Sequence, residues 1–343
     1  METIKDTLIT LYSEIIESYY AENELSQIRK SMTFYEFVEI MLNRFKDKCT
    51  NIDSENLTSI IKKDFLGNCT KQRFLNALTR IIDKYKIILQ KTYQGDFKSA
   101  IKHMEELMHS KKHLSKYLDD IYINYLIGNI ENNIILYRMR DVKKEEKPND
   151  CWHIPFSLRR SATLQRYNMS GHPCLYLADS KETAEKELGS ITENYNRWYS
   201  EFNTKQSISI FDLTIPSPKL IQNENNNSDL FGWLITYPLR MLCSIKVYEK
   251  TNFPEEYIFP QLLFHWMYMM NGYNYRDGFV YSSTKNPNGK NYVFPAKYTT
   301  KTPPKYSDYQ IDKKLQAIFK ASIPELLYKE KKIKRYSIEI TKL

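Results

Sequence analysis

Proline constrains the fold of this chain more than any other residue type. None of its 13 prolines precedes Pro148, and only two glycines, Gly67 and Gly95, precede Gly128. So long a stretch without helix breakers reads as helices joined by short polar turns. Local signals agree. Thr33-Phe-Tyr-Glu36 has the form of a capping box, with apolar residues Phe37, Ile40, Met41 and Phe45 behind it. Phe74, Leu75, Leu78, Ile81, Ile82 and Tyr85 recur at three- and four-residue steps, the spacing of one helix face. Further helices are expected near residues 8–19, 97–108 and 114–125, so residues 1–128 are expected to form an all-α bundle.

The second half reads differently. It holds all the prolines and all four tryptophans. Runs rich in Ile, Val, Tyr and Phe, most of them bounded by Gly, Pro or Asn, predict strands at 133–137, 174–178, 208–215, 278–281, 292–294 and 336–340. Helices are expected at 182–188, capped by Asp179 or Ser180, and at 260–270. The Asn-rich segment 222–228 reads as a surface loop. The expected class is α+β: a helical domain over residues 1–128, then a mixed or antiparallel sheet domain over 129–343.

Several functions are excluded by missing motifs. There is no GxxxxGK[ST], GxGxxG, HExxH or GxSxG, and the five cysteines form no CxxC pair. No metal site is expected. The apolar runs 230–245 and 259–270 are broken by Arg240 and by Gln261 and His265. Both are shorter than the about 20 residues a membrane span needs, so both read as core. Met1 is followed by Glu2 and Asp6 rather than by a basic, then apolar, leader, which makes a cytoplasmic protein with free thiols the expectation. A net charge of +9 favours acidic partners, either phosphorylated small molecules or nucleic acid, but the one dense basic run, 329–335, reads as a solvated face. The helical half holds no Arg and His pair at the spacing of helical-bundle ribonucleases. His103, His109 and His113 read as helix surface, and Arg166 and His172 lie across a Gly-Pro turn in the second half.

What remains is a set of polar and aromatic residues at structured positions. Arg138 is expected to end the first strand, in Leu-Tyr-Arg-Met-Arg. Arg166 and Tyr167 precede the turn at Gly171, and Tyr176 lies in the strand 174–178. Glu187 lies about two turns into the following helix, and Ser283 follows the strand in Asp-Gly-Phe-Val-Tyr-Ser-Ser. Arginine forks match phosphate oxygens. Tyrosine offers a flat face and a hydroxyl. One carboxylate can oppose a developing oxocarbenium ion. Together these types suit a nucleotide with a diphosphate and a cationic leaving group on a sugar carbon, and NAD+ is such a molecule. Taken singly, each residue also has a plain reading as a surface, turn or packing residue.

Order and spacing add a resemblance. The pieces LYRMR from Leu136, QRYN from Gln165, CLYLADSKETAEKEL from Cys174, DGFVYSS from Asp277 and GKNYVF from Gly289 resemble, in this order, the RES domain of bacterial toxin–antitoxin systems. The resemblance implies an ADP-ribosyltransferase-like fold. It also implies cleavage of NAD+ at the nicotinamide–ribose bond by water or by inorganic phosphate as co-substrate, with no further cofactor. It makes Glu187, Arg166, Tyr176 and Ser283 the expected catalytic set. Arg138, Arg166, Tyr176 and Ser283 are the expected NAD+-binding set: the arginines hold phosphates, Tyr176 meets the nicotinamide side and Ser283 holds ribose or amide. Glu187 steadies the ribosyl cation. Tyr281-Ser282-Ser283-Thr284-Lys285 departs from the family's Tyr-Pro-Ser followed by Arg, which leaves Ser282 as an alternative to Ser283. The first half resembles the HEPN-related helical domain of long members. It is expected to regulate, to oligomerise or to meet an antitoxin, with phage infection as one candidate trigger. Two other functions stay open: transfer of ADP-ribose to a macromolecule, and a non-catalytic module binding nucleic acid or protein.

Overall fold

The computed structural model describes residues 2–17, 24–58, 70–108, 121–144, 146–148, 150–248, 251–270, 276–305 and 309–328. Helix α1 (Ile4–Glu17) buries Ile4, Leu8, Leu11 and Ile15 along one stripe. After α2 (Glu24–Ser31), α3 (Phe34–Thr50) begins at the expected capping box. Glu36 N donates to Thr33 Oγ1 at 3.3 Å, and Thr33 N donates to Glu36 Oε2 at 2.9 Å. Such a cap satisfies donors that a helix start otherwise orphans and contributes about 1 kcal/mol. Helix α4 (Lys71–Tyr93) buries the predicted face, including Phe74, Leu78, Ile81, Ile82 and Tyr85. Helix α5 (Phe97–Met108) covers the residues expected of it, and α6 (Ile121–Asn124) closes the helical half. Most of the helix expected at 114–125 lies outside the described residues, as do Cys69, His109, His113, the basic run 329–335 and the strand expected at 336–340.

The second half is built on one mixed sheet. Its strands are β1 (Ile127–Ile130), β2 (Ile135–Lys143), β3 (Cys174–Ala178), β4 (Tyr195–Thr204), β5 (Ile208–Leu213), β6 (Gly278–Ser282), β7 (Lys290–Pro295), β8 (Phe319–Ala321) and β9 (Glu325–Tyr328). They lie in the order β1-β5-β6-β7-β3-β2-β4-β8, with β9 also on β4. The β5–β6 pair is parallel and the others are antiparallel. The α+β class holds.

Two strand expectations need correction. β2 does not stop at Tyr137. It runs to Lys143, so Arg138 sits inside a nine-residue strand rather than at the end of one, and β1 precedes it. β4, ten residues long, was not anticipated at all. The two errors share a cause. β2 and β4 pair along their whole length, from Ile135↔Asn203 to Lys143↔Tyr195. This ladder tolerates charge because Arg197, with no exposed surface, meets both oxygens of Asp141 on β2 at 2.7 and 2.8 Å. Polar letters hid strands whose polarity is neutralised across the pair.

The apolar run after residue 229 is a helix, α9 (Asn227–Ser244), buried from Leu230 to Ser244 except at the half-buried Trp233. It follows α8 (Pro218–Asn223), so only residues 224–226 of the expected Asn-rich loop lie between helices. α9 joins the two halves. On one side Tyr237 donates to the Leu11 carbonyl at 2.7 Å and stacks on Phe45 at 5.3 Å. On the other, Arg240 donates to the carbonyls of Thr214, at 2.6 Å, and Tyr125, at 3.0 Å. The arginine that interrupts the apolar run is the tie between this helix and the sheet. Helix α10 (Ile258–His265) ends in a π-helical turn, and α11 (Lys313–Ile318) packs beyond the sheet.

Side-chain alternation gives the sheet two apolar faces. On β6, Phe279 and Tyr281 join a cluster that includes Ile4, Phe45, Leu89 and Leu234, while Val280 joins Leu136, Leu175, Phe202 and Phe294 on the far side. One apolar core therefore runs from α1 into the sheet.

Candidate active site

The site lies on the sheet face that looks toward the helices. The register sets Ala178 beside Asn291, Asn291 beside Tyr281, and Tyr176 beside Val293, all on that face. β2 and β3 share one register pair, Tyr137↔Ala178. Alongside that short pairing, Arg138 Nη1 donates to the Tyr176 carbonyl at 3.2 Å. A cleft of about 840 Å³ opens here, walled by β2, β3, the 162–168 segment, the end of the helix α7 (Lys181–Leu188) and the 246–257 connection.

Glu187 is carried by α7 (Lys181–Leu188), whose cap is Ser180: Thr183 N donates to Ser180 Oγ at 3.1 Å. Being the seventh residue of that helix, Glu187 reaches back toward the sheet. Its Oε1 accepts from Ser283 Oγ and from Asn291 Nδ2, each at 2.6 Å. Its Oε2 has no partner among the described residues. Lys285 Nζ donates to the Glu187 backbone carbonyl. Two donors on one oxygen orient the carboxylate and leave the other oxygen for a ligand.

Ser283, expected to touch ribose or amide, is fully buried. While donating to Glu187, its hydroxyl accepts from Lys285 N at 3.2 Å and Asn286 N at 3.0 Å. It thus fixes both the carboxylate and the turn after β6. Ser282 points elsewhere, accepting from Ile215 N at 3.0 Å. Of the two serines, Ser283 is the one in contact with Glu187.

Arg166, Arg138 and Tyr176 all line the cleft. Arg166 is 6% exposed, and its terminal nitrogens donate to the carbonyls of Cys243 and Ile245, both at 3.0 Å. A cation suits the C-terminal end of α9, where carbonyls lack helical donors. Its guanidinium also lies 5.1 Å from the centre of the Tyr257 ring. Arg138 is less committed: its Nε is buried without a partner, and Nη1 makes its one bond to a described residue. Burial, then repulsion from Arg140, pushes its guanidinium down to about 10, which leaves it charged at neutral pH. Tyr176 accepts from Tyr167 N at 3.1 Å and so ties the 165–168 segment to β3. Burial holds both Tyr176 and Tyr281 protonated, and the Glu187 charge adds to this at Tyr281. Tyr167 turns inward against Phe279 and Tyr281 at 5.1 and 4.8 Å. The turn beyond it needs Gly171, at φ +78°, where its N–H closes onto the Ala162 carbonyl at 2.7 Å.

The set thus comes together, and the structure adds residues to it. Asn291 was visible only as a letter before an apolar strand. Lys246, Tyr248 and Tyr257 wall the far side and gave no local signal. Glu187 is the one acidic residue among the described cleft walls, facing Arg138, Arg166, Lys246 and Lys285. His172 also lines the cleft, and burial, then Arg159, pushes its imidazole down to about 4, so it is neutral at pH 7.

A family model described as the RES domain matches residues 135–312, more than half of the chain. The chain belongs to the RES domain family. Every residue of the predicted set lies within that match. A Bacillus subtilis (strain 168) protein named "Putative toxin YopC" is 30% identical over 173 residues, covering 47% of this chain and 39% of that protein. The match therefore spans well under half of that relative's length. No solved structure matches the chain. Among the described residues no helix is long and apolar enough to cross a membrane.

Proposed function

We propose that this RES domain cleaves the nicotinamide–ribose bond of NAD+. Glu187 carries the reading: a carboxylate oriented by Ser283 and Asn291, with one oxygen unpartnered, as the one acidic residue among described cleft walls that also carry arginines, lysines and tyrosines. The cleft volume of about 840 Å³ falls in the range usual for small-molecule sites. In the reaction the bond between ribose C1 and the nicotinamide nitrogen breaks, and its electron pair moves to that nitrogen and neutralises the pyridinium. C1 becomes cationic opposite Glu187, and an oxygen of water or phosphate bonds to it. Water gives ADP-ribose, nicotinamide and a proton. Phosphate gives ADP-ribose phosphorylated at C1. Arg138 and Arg166, both lining the cleft, oppose the diphosphate charge, and the tyrosine faces flank the nicotinamide. A neutral leaving group departs without protonation, so a second carboxylate is not required.

The family and the relative's name support a role as a growth-arresting toxin or defence effector acting on a cytoplasmic NAD+ pool. The helical half is then the place where an antitoxin or a second copy engages. The test is NAD+ loss and nicotinamide release by wild type and Glu187→Gln, with and without phosphate. Glu187→Gln keeps the shape and removes the charge, and turnover should fall roughly a hundredfold or more. Dependence on phosphate marks phosphorolysis. Label passing from NAD+ to a macromolecule would instead mark ADP-ribosyl transfer. Turnover unchanged in Glu187→Gln would sink the assignment.

A further inference from the structure

The sheet does not hold the far wall of the cleft. That wall includes Tyr248, Pro254 and Tyr257, on the connection between α9 and α10. Its anchors come from the helical half. Arg29 on α2 meets Glu256 Oε1 at 3.3 Å and Glu255 Oε2 at 3.5 Å. Glu256 is only 3% exposed, and its Oε1 also accepts from Tyr248 N at 3.4 Å. Tyr93, at the end of α4, donates to Glu255. Arg29 is itself set by the Met32 carbonyl at 3.2 Å and by the Phe34 ring at 5.4 Å. Next along the chain from Glu256 is Tyr257, whose ring lies against Arg166.

We propose that Arg29 is a positioning residue for the substrate cleft: by bridging Glu255 and Glu256 it fixes Tyr248 and Tyr257, so the helical half sets substrate affinity. The proposal rests on the reading of this cleft as the NAD+ site. Two features set Arg29 apart from an ordinary surface ion pair. Glu256 is buried, so losing Arg29 leaves a carboxylate with no compensating cation. The same carboxylate holds the backbone of a residue that walls the cleft.

The experiment measures kcat and KM for NAD+ with the full chain, comparing wild type, Arg29→Ala, Arg29→Lys and Tyr93→Phe. Lys48→Ala serves as control, since Lys48 pairs with Glu14 at 2.9 Å and is not among the residues lining the cleft. Arg29→Ala should raise KM about fivefold or more, the lower end of usual inter-site coupling, while kcat stays within about twofold. Arg29→Lys should fall between Arg29→Ala and wild type, Tyr93→Phe should shift KM in the same direction, and Lys48→Ala should leave both constants unchanged. A lower kcat with KM unchanged means only a smaller folded fraction and overturns the proposal. If Arg29→Ala does not fold, Arg29→Lys and Tyr93→Phe decide in the same way. If wild type leaves NAD+ intact, the functional reading falls, and deuterium exchange of residues 251–262 judges the clamp alone. Faster exchange there in the Arg29 variants than in Lys48→Ala upholds it, and equal exchange overturns it.

Discussion

Removing one hydroxyl at Ser283 withdraws a donor from Glu187 and an acceptor from two backbone amides. Ser283→Ala should therefore cost stability and rate together. Leaving the buried Asn286 amide unsatisfied costs about 1–3 kcal/mol, and calorimetry should register it as a lower Tm. NAD+ turnover should fall roughly tenfold, less than for Glu187→Gln, because Asn291 still orients the carboxylate. Equal losses in the two variants would mean that the hydroxyl itself touches the substrate. At this scale Arg138, Arg166, Tyr176, Glu187 and Ser283 were legible because their residue types, order and spacing made a pattern. Asn291 stood in the pattern without a role, since only the β3–β7 and β6–β7 registers bring it under Glu187. Tyr257 was illegible: it reaches the site from the end of a long excursion through α8 and α9, and no local motif marks it.

Elements explain two glycines in the same motifs. A Cβ at Gly278 would run into the Val293 carbonyl oxygen of the neighbouring strand, and one at Gly289 would run into the Thr183 side chain on α7. β6 and β7 pair closely, and their turn presses on the first turn of the helix that carries Glu187. Gly278→Ala should destabilise the protein by about 1–3 kcal/mol through overpacking, read as a lower denaturant midpoint. An unchanged midpoint would show that β6 shifts freely. Helices were read well because capping and three- to four-residue periodicity are local, as at Thr33 and along α4. Strands fared worse. β4 carries Arg197 and Asn196 buried in its ladder, and only the partner strand makes such a sequence intelligible.

Across the whole molecule, the buried imidazole of His153 and the half-buried ones of His172 and His265 make stability depend on pH. Burial, first among the causes in each case, lowers His153, His172 and His265 below 6.5. His153 is held neutral by geometry as well. Its Nδ1 bonds the Ile154 carbonyl at 2.8 Å, and its Nε2 accepts from Asp312 N at 2.9 Å. A histidine with a depressed folded pKa takes up protons in the unfolded chain first. Stability is therefore highest above pH 6.5 and falls as pH drops from 6.5 toward about 4, the value for His172. His172 alone contributes at most about 2 kcal/mol of that loss between pH 6.5 and 5. Tm measured from pH 7 to 5 should fall, and His172→Phe, which keeps the ring contacts with Phe264 and Tyr268, should flatten the slope. A variant slope equal to wild type would remove His172 from the account.

Glu187 takes its two donors from residues 96 and 104 positions later in the chain. During synthesis, a ribosome that has released Glu187 has not yet translated Ser283 or Asn291. The carboxylate therefore emerges without its orienting partners and without the sheet that carries them. The cleft proposed to take NAD+ thus stays incomplete until the chain has been made through residue 291. A chain truncated before residue 291 carries the glutamate but never the finished site.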